Sequence, residues 1–166
     1  MNNKFSFGIF ALLAVLVLSP LTSHAYGTSE QTAVRLSDTH VLFTITYKLG
    51  FLNRESSLPI IANTGFDKDI SFVITDQNNS QITANTHSII LRDKAELKNK
   101  RYFLPEGKNS NFTLVAVAEI PKSDTDTTHQ LKIINLPFIT IDDDKVAKLG
   151  KVDENTLTEF QTPFVK

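Results

Sequence analysis

The chain has 166 residues, 17 Lys plus Arg against 18 Asp plus Glu, no Cys and no Trp. A near-zero net charge leaves no electrostatic footprint for nucleic acid or an anionic membrane surface. The lack of Cys excludes a disulfide framework, a Cys-based zinc site and a thiol nucleophile, and 41% apolar residues exclude a disordered chain.

Residues 1–25 have the three-part grammar of a secretory signal peptide. Lys4 is the only charge of a short leading region, and Ile9 to Leu18 is an unbroken apolar run closed by Ser19 and Pro20. Ser23-His24-Ala25 places small residues at −3 and −1 of a cut after Ala25. The apolar run is about half the ~20 residues that a membrane span needs, so no stable span is expected after cleavage. The chain is therefore expected to be secreted or periplasmic. An exported chain without Cys fits a bacterial setting better than a disulfide-dense secretome.

Residues 26–32 are small and polar and read as a flexible leader. The β-sandwich domain is placed at residues 33–141. Its first strand is His40 to Lys48, where Val41, Phe43, Ile45 and Tyr47 alternate with Leu42, Thr44, Thr46 and Lys48. Gly50 and Asn53 open a loop, and Leu58 to Ala62 is a short strand whose Pro59 suggests an edge or a strand start.

Ile70 to Thr75 alternates again, and the polar tract Asp76 to Ser80 predicts a reversal into Gln81 to Leu91. Arg92 to Lys100 is charged and reads as a connection with at most one helical turn. Leu104-Pro105-Glu106-Gly107 fits a type I turn with Pro at i+1. Phe112 to Ile120 is the longest strand, and because both faces are apolar at its middle it is expected to be central.

Lys122 to Thr128 is a solvated loop. His129 to Asn135 reads as a strand that Phe138 to Ile141 continues beyond Pro137. In the C-terminal tail, residues 142–166, Val146, Leu149 and Gly150 suggest one helical turn, and the rest either docks or adds an edge strand.

Short strands at about ten-residue spacing, turn signals between them and no helix of ordinary length predict an all-β protein. The expected fold is an immunoglobulin-like antiparallel β-sandwich of about seven strands with at most one or two short helical turns. The antibody-type version is excluded, because it needs a Cys pair around a buried Trp. The Leu104-Pro105-Glu106-Gly107 turn, its polar spacer and the strand FTLVAVAEI resemble a strand pair found in many exported immunoglobulin-like domains. That resemblance implies fold and no activity.

No catalytic constellation is visible. His40, His87 and His129 are isolated, no G-x-S-x-G elbow surrounds a Ser, and no Gly spacing matches a phosphate cradle. The histidines lack the i, i+2 or i, i+4 pairing of a zinc site. Asp142-Asp143-Asp144 and Asp124 with Asp126 are oxygen clusters without the loop of a calcium site, and their plain reading is solvation and turn capping. Lys94, Lys98, Lys100 and Arg101 precede Tyr102 and Phe103, but Asp93 and Glu96 dilute the run into a solvated face.

The expectation is an exported, noncatalytic binding or structural module with no metal or cofactor, a protein partner and no nucleic-acid partner. The alternatives are an exported enzyme inhibitor or assembly chaperone, and an enzyme whose site is assembled only in three dimensions. The candidate partner-binding loop carries Phe51 and Leu52, apolar residues where the strand should be turning. The competing role for Phe51 is a plug tucked under the loop into the core.

Overall fold

The structure is a computed structural model, and it describes residues 27–51, 54–64, 69–124, 126–141 and 144–166. The signal peptide with its cut after Ala25, Leu52, and Asp142 with Asp143 lie outside the described residues.

The strands, numbered in chain order, form two facing layers. The first is a four-stranded antiparallel sheet in the order β1 (Gly27–Arg35), β2 (His40–Gly50), β10 (Asn109–Glu119), β7 (Asn85–Arg92). The second layer is made of two shorter sheets. One has the order β11 (His129–Asn135), β5 (Ile70–Asp76), β4 (Ala62–Asn63), with β6 (Gln81–Ile82) also on β5. The other has the order β13 (Ala147–Lys151), β12 (Pro137–Ile141), β3 (Glu55–Pro59), β9 (Arg101–Leu104), β8 (Glu96–Lys98). All pairings are antiparallel except the short β4–β5 contact. The protein is all-β, a sandwich of mostly antiparallel sheets.

The core lies where the two layers face each other. From the first layer come Val41, Phe43, Ile45 and Tyr47 of β2 and Phe112, Leu114, Ala116 and Ala118 of β10, all fully buried. From the second come Leu58, Ile70, Phe72, Ile74, Leu131 and Leu136. The strict alternation of β2 explains its place: period-two patterning puts every odd-numbered apolar side chain on one face.

Several expectations are corrected. More strand segments occur than about seven, because single strands are cut by a Pro, a bulge or a change of sheet. Leu136 separates β11 from β12, and the two halves pair with different partners. The stretch read as a flexible leader is the first half of β1. Thr28 to Thr32 pair with Tyr47 to Thr44 across a register shift, because a polar residue is well placed where an edge strand faces water.

The Ile70–Thr75 reversal exists but is short. Asp76 Oδ1 accepts hydrogen bonds from the backbone of Asn78 and Ser80, both at 2.8 Å. Only two residue pairs of β5 and β6 follow before the chain crosses to the other layer as β7. In place of a helical turn, Arg92 to Lys100 contains β8, joined to β9 by a two-residue turn with Asn99 at φ 49° and Lys100 at φ 58°. Two central residues at positive φ give the hairpin turn whose twist matches the strands.

The Pro105 turn is shifted by one residue. Lys108 N donates to Pro105 O at 3.1 Å, and Gly107 takes the third turn position at φ 68°. Its flanking strands β9 and β10 lie in different layers, so the turn is a crossing and they do not pair.

The tail is part of the fold. Ala147–Lys151 is the strand β13 on β12 where a helical turn was expected, and a short helix, α1 (Glu154–Leu157), follows. Gly150 permits this pairing, since a Cβ there would stand 2.7 Å from Phe138 Cζ. Residues 160–165 then run beside β11: Ile133 N donates to Phe160 O at 2.9 Å, Thr162 N to Leu131 O at 2.9 Å, and His129 N to Val165 O at 2.7 Å. Val152, Leu157, Phe160 and Thr162 are buried by this docking.

Candidate interaction surface

With the odd-numbered residues of β2 in the core, Leu42, Thr44 and Thr46 must point to the outside of the four-stranded sheet. The register then fixes their neighbours. Leu42 lies between Val34 of β1 and Val117 of β10, with His87 of β7 beyond. Thr44 lies between Thr32 and Val115, with Ile89 beyond. Thr46 lies between Glu30 and Thr113, with Leu91 beyond.

These three rungs form an outer face with one charged side chain, Glu30, at a corner on the edge strand. The face is open: Val34 is 48% exposed, Ile89 56% and Leu91 50%. Leu42, Val115 and Val117 are half-buried between their neighbours. A sheet face exposed to water ordinarily carries polar residues. Contiguous exposed apolar patches recur at interaction surfaces, which makes this face the candidate.

The threonines strengthen the apolar character. Thr32 Oγ1 and Thr44 Oγ1 are 2.5 Å apart, and Thr46 Oγ1 and Thr113 Oγ1 are 2.9 Å apart. Within each pair one hydroxyl donates to the other across the strands.

Charge returns only at the two ends of the strands. Lys48 stands exposed beyond the Thr46 rung, paired in register with Asn111, whose carbonyl accepts from the amide of exposed Asp93. At the far end Glu119 lies between His40 and Asn85, and Asn85 Nδ2 donates to Glu119 Oε2 at 3.3 Å. A groove of about 370 Å³ lined by Thr39, Thr83, Asn85, Glu119, Ile120, Pro121 and Lys122 adjoins that end, so both signs of charge stand there.

The sequence-derived loop candidate is corrected by its burial. Phe51 is 4% exposed and its ring centroid is 4.7 Å from that of Phe138, so it fills the core under the loop and presents no ring to a partner. Leu52 lies outside the described residues. Strand β10 is central in its sheet, flanked by β2 and β7, but its outer face is not covered by a second layer. The signal for the surface was already present in that strand, where Val115 and Val117 alternate with buried Leu114, Ala116 and Ala118.

The histidines are dispersed. His40 and His87 sit on the four-stranded sheet, while His129 is buried in the other layer with Nε2 3.1 Å from Thr127 Oγ1. Among the described residues no group of three His, Cys, Asp or Glu side chains could hold a metal ion. The shifted ionisable groups lie away from the outer face. Burial pushes the Tyr47 hydroxyl well above its usual range, and burial lowers Arg101, whose Nε donates to Ser57 Oγ at 3.0 Å. A bond from Lys98 holds Glu96 below the usual carboxylate range. Among the described residues, no helix is long and apolar enough to cross a membrane.

No protein-family model and no curated protein matches the sequence. Among solved structures the chain is similar to the yeast GGA1 GAE domain, at 9% identity over 78% of this chain and 96% of that one, with a TM-score of 0.30. A likeness at that distance says nothing of what this chain binds, and the fold assignment rests on the sheets described above.

Proposed function

We propose that this protein is an exported, noncatalytic immunoglobulin-like module that works by binding protein through the outer face of its four-stranded sheet. The observation that carries the reading is the uncharged patch of Val34, Leu42, Ile89, Leu91, Val115 and Val117, whose intervening threonine hydroxyls pair with one another. Covering such a face gains ~25 cal/mol per Å² of apolar surface removed from water. The signal-like residues 1–25 support secretion or a periplasmic destination. The dispersal of His40, His87 and His129 supports a role without catalysis.

A photo-reactive amino acid placed at Ile89, in the full chain expressed in an exporting bacterial host, tests this. The expected result is a cross-linked adduct from Ile89 and none from Lys108, which is exposed in the turn after β9. No adduct from Ile89 refutes the surface assignment. Retention of uncut chain inside the cell refutes the export assignment separately.

A further inference from the structure

We infer that the free edge of β1 pairs with β1 of a second copy of this chain, antiparallel and centred on Ala33, so that the two four-stranded sheets join edge to edge. The inference goes beyond the face assigned above. It concerns the edge of that sheet and stands on backbone direction and strand pattern.

The ladder fixes which groups the edge offers. Ile120 N donates to Thr39 O and Leu36 N to His40 O. The alternation of antiparallel bonds then aims Val41, Phe43 and Ile45 at β10, and Leu42 and Thr44 at β1. Thr32 and Val34 therefore bond to β2, while the N–H and C=O of Gln31 and Ala33 point away from it. Among the described residues no strand lies on that side. The Gln31 side chain turns toward the core layer, where Nε2 donates to Glu159 O at 2.9 Å, so the tail passes beneath β1.

Every other edge is guarded. On β7 the Ile90 carbonyl accepts from the Tyr102 hydroxyl at 2.6 Å, and Ser88 Oγ donates to Ala62 O of β4. The tail bonds along β11. Strands β4 and β6 have two residues each, and β8 has three, with Glu96 and Lys98 among them. Strand β13 carries Lys151 and Lys148, the latter paired with buried Thr140 on the core-side face. Short length, edge lysines and inward charges are the devices that keep edge strands from pairing. By contrast β1 has nine residues and neither Lys nor Pro. Its two charges, Glu30 and Arg35, stand at the ends of the regular stretch, which the bulge between Thr28 and Glu30 bounds.

A second copy fits this stretch in one register. A two-fold axis perpendicular to the sheet through Ala33 lets the two Ala33 residues exchange both backbone bonds, with only methyl groups at the axis. On the outer side Val34 falls opposite Thr32 of the other copy, and Glu30 opposite Leu36. On the core side Gln31, and with it the Glu159 segment, falls opposite Arg35. Asp38 lies past these pairs, in the turn where its carbonyl accepts from Arg35 Nη1 at 2.7 Å. No like charges are opposed. An axis at Thr32 would set Val34 against Glu30, and one at Gln31 would run the pairing into the bulge. With the axis at Ala33 the rung of Val34, Leu42 and Val117 continues into Thr32, Thr44 and Val115 of the other copy, so the two outer faces merge. An edge of about six residues a side buries less than the ~1,200 Å² of a stable interface, so the dimer is expected to dissociate near ~100 μM.

Sedimentation velocity on the exported chain from ~1 μM to ~1 mM tests the inference. The wild type is expected to pass from monomer to dimer. Ala33→Pro is expected to stay monomeric with an unchanged circular dichroism spectrum, because the N–H it removes points away from β2. The chain has no Cys, so single cysteines read the register. Ala33→Cys is expected to form a covalent dimer in air, its Cα ~5.5 Å from its counterpart, and Val34→Cys to do so about tenfold more slowly. Val115→Lys, on the outer face, is expected to leave the dimer intact. A wild type that is monomeric throughout overturns the inference. So does a dimer that survives in folded Ala33→Pro, or a Val34→Cys that links as fast as Ala33→Cys. If Ala33→Pro does not fold, the cysteine pair decides. A dimer abolished by Val115→Lys also overturns the edge pairing, and the Ile89 adduct tests the face independently of all these results.

Discussion

Truncating Phe160 to alanine tests whether the C-terminal segment belongs to the core. Phe160 is fully buried, its ring centroid is 5.7 Å from that of Tyr47, and its carbonyl accepts the Ile133 amide. Tyr47 in turn stacks on Phe112 at 5.8 Å, so the tail completes an aromatic row that begins in the four-stranded sheet. Replacing a buried Phe by Ala removes its transfer free energy and leaves a cavity, about 3–5 kcal/mol in a close-packed site. For a domain near 150 residues each kcal/mol moves the midpoint by about 3 °C, so Phe160→Ala should lower Tm by roughly 10–15 °C. Circular dichroism melts read this directly. Phe164→Ala is the control, because Phe164 is 46% exposed and should move the midpoint little. A Phe160→Ala midpoint within ~2 °C of wild type would refute the integral role of the tail. Deletion of residues 142–166 should unfold the domain, since it strips β13, Val152, Leu157 and Phe160 together.

Further outcomes follow from single contacts. Tyr47 buries its hydroxyl with no hydrogen-bond partner, so Tyr47→Phe should be neutral or raise stability by about 1 kcal/mol in urea unfolding; a loss above that would mean the hydroxyl is satisfied. Gly150→Ala forces a methyl into the Phe138 ring and should cost about 1–3 kcal/mol, with β13 detaching first in amide exchange. Asp153 caps α1, accepting from Thr156 N at 2.9 Å and Thr156 Oγ1 at 2.6 Å, and these bonds hold its carboxyl below the usual range. Because its folded pKa is depressed, its contribution is present above the ordinary carboxylate pKa and fades as pH falls through the lowered value. Amide exchange at Leu157 should therefore accelerate in acid for the wild type. Asp153→Asn should remove most of that pH dependence while keeping a cap.

The parts of the fold most legible in the sequence are those where period two is strict and local. His40 to Lys48 and Phe112 to Ile120 declare their strands and inward faces residue by residue. The edges are less legible, because an edge strand need bury only one side chain in two. Thr28 to Thr32 thus read as a leader, although Thr32 is matched to Thr44 across a strand pair. The tail hides its role for a related reason: Val152, Leu157 and Phe160 follow no period, since an irregular docked segment inserts side chains wherever the core has room. The chain reversal after Asp76 was readable from turn chemistry, yet the length of the hairpin is set by tertiary burial, which moves Asn85–Arg92 to the other layer.

The candidate surface was half legible. Val115 and Val117 signalled apolar residues on both faces of one strand, which is equally the pattern of a strand covered on both sides. Only the register with β2 and β7 shows that Leu42, Ile89 and Val117 share one open face. Phe51 drew attention through its position in a loop, but position alone does not distinguish an exposed anchor from a core plug; the Phe138 contact does.

The most direct measurement of the central claim is a pair of methyl spectra of the labelled protein, without and with an envelope extract of the exporting host. The expected shift and broadening fall on Val34, Leu42, Ile89, Leu91, Val115 and Val117, with buried Ile45 and Leu114 unmoved. Changes centred on Leu149 and Val146, which are exposed at and beside the opposite layer's edge strand, would contradict the account.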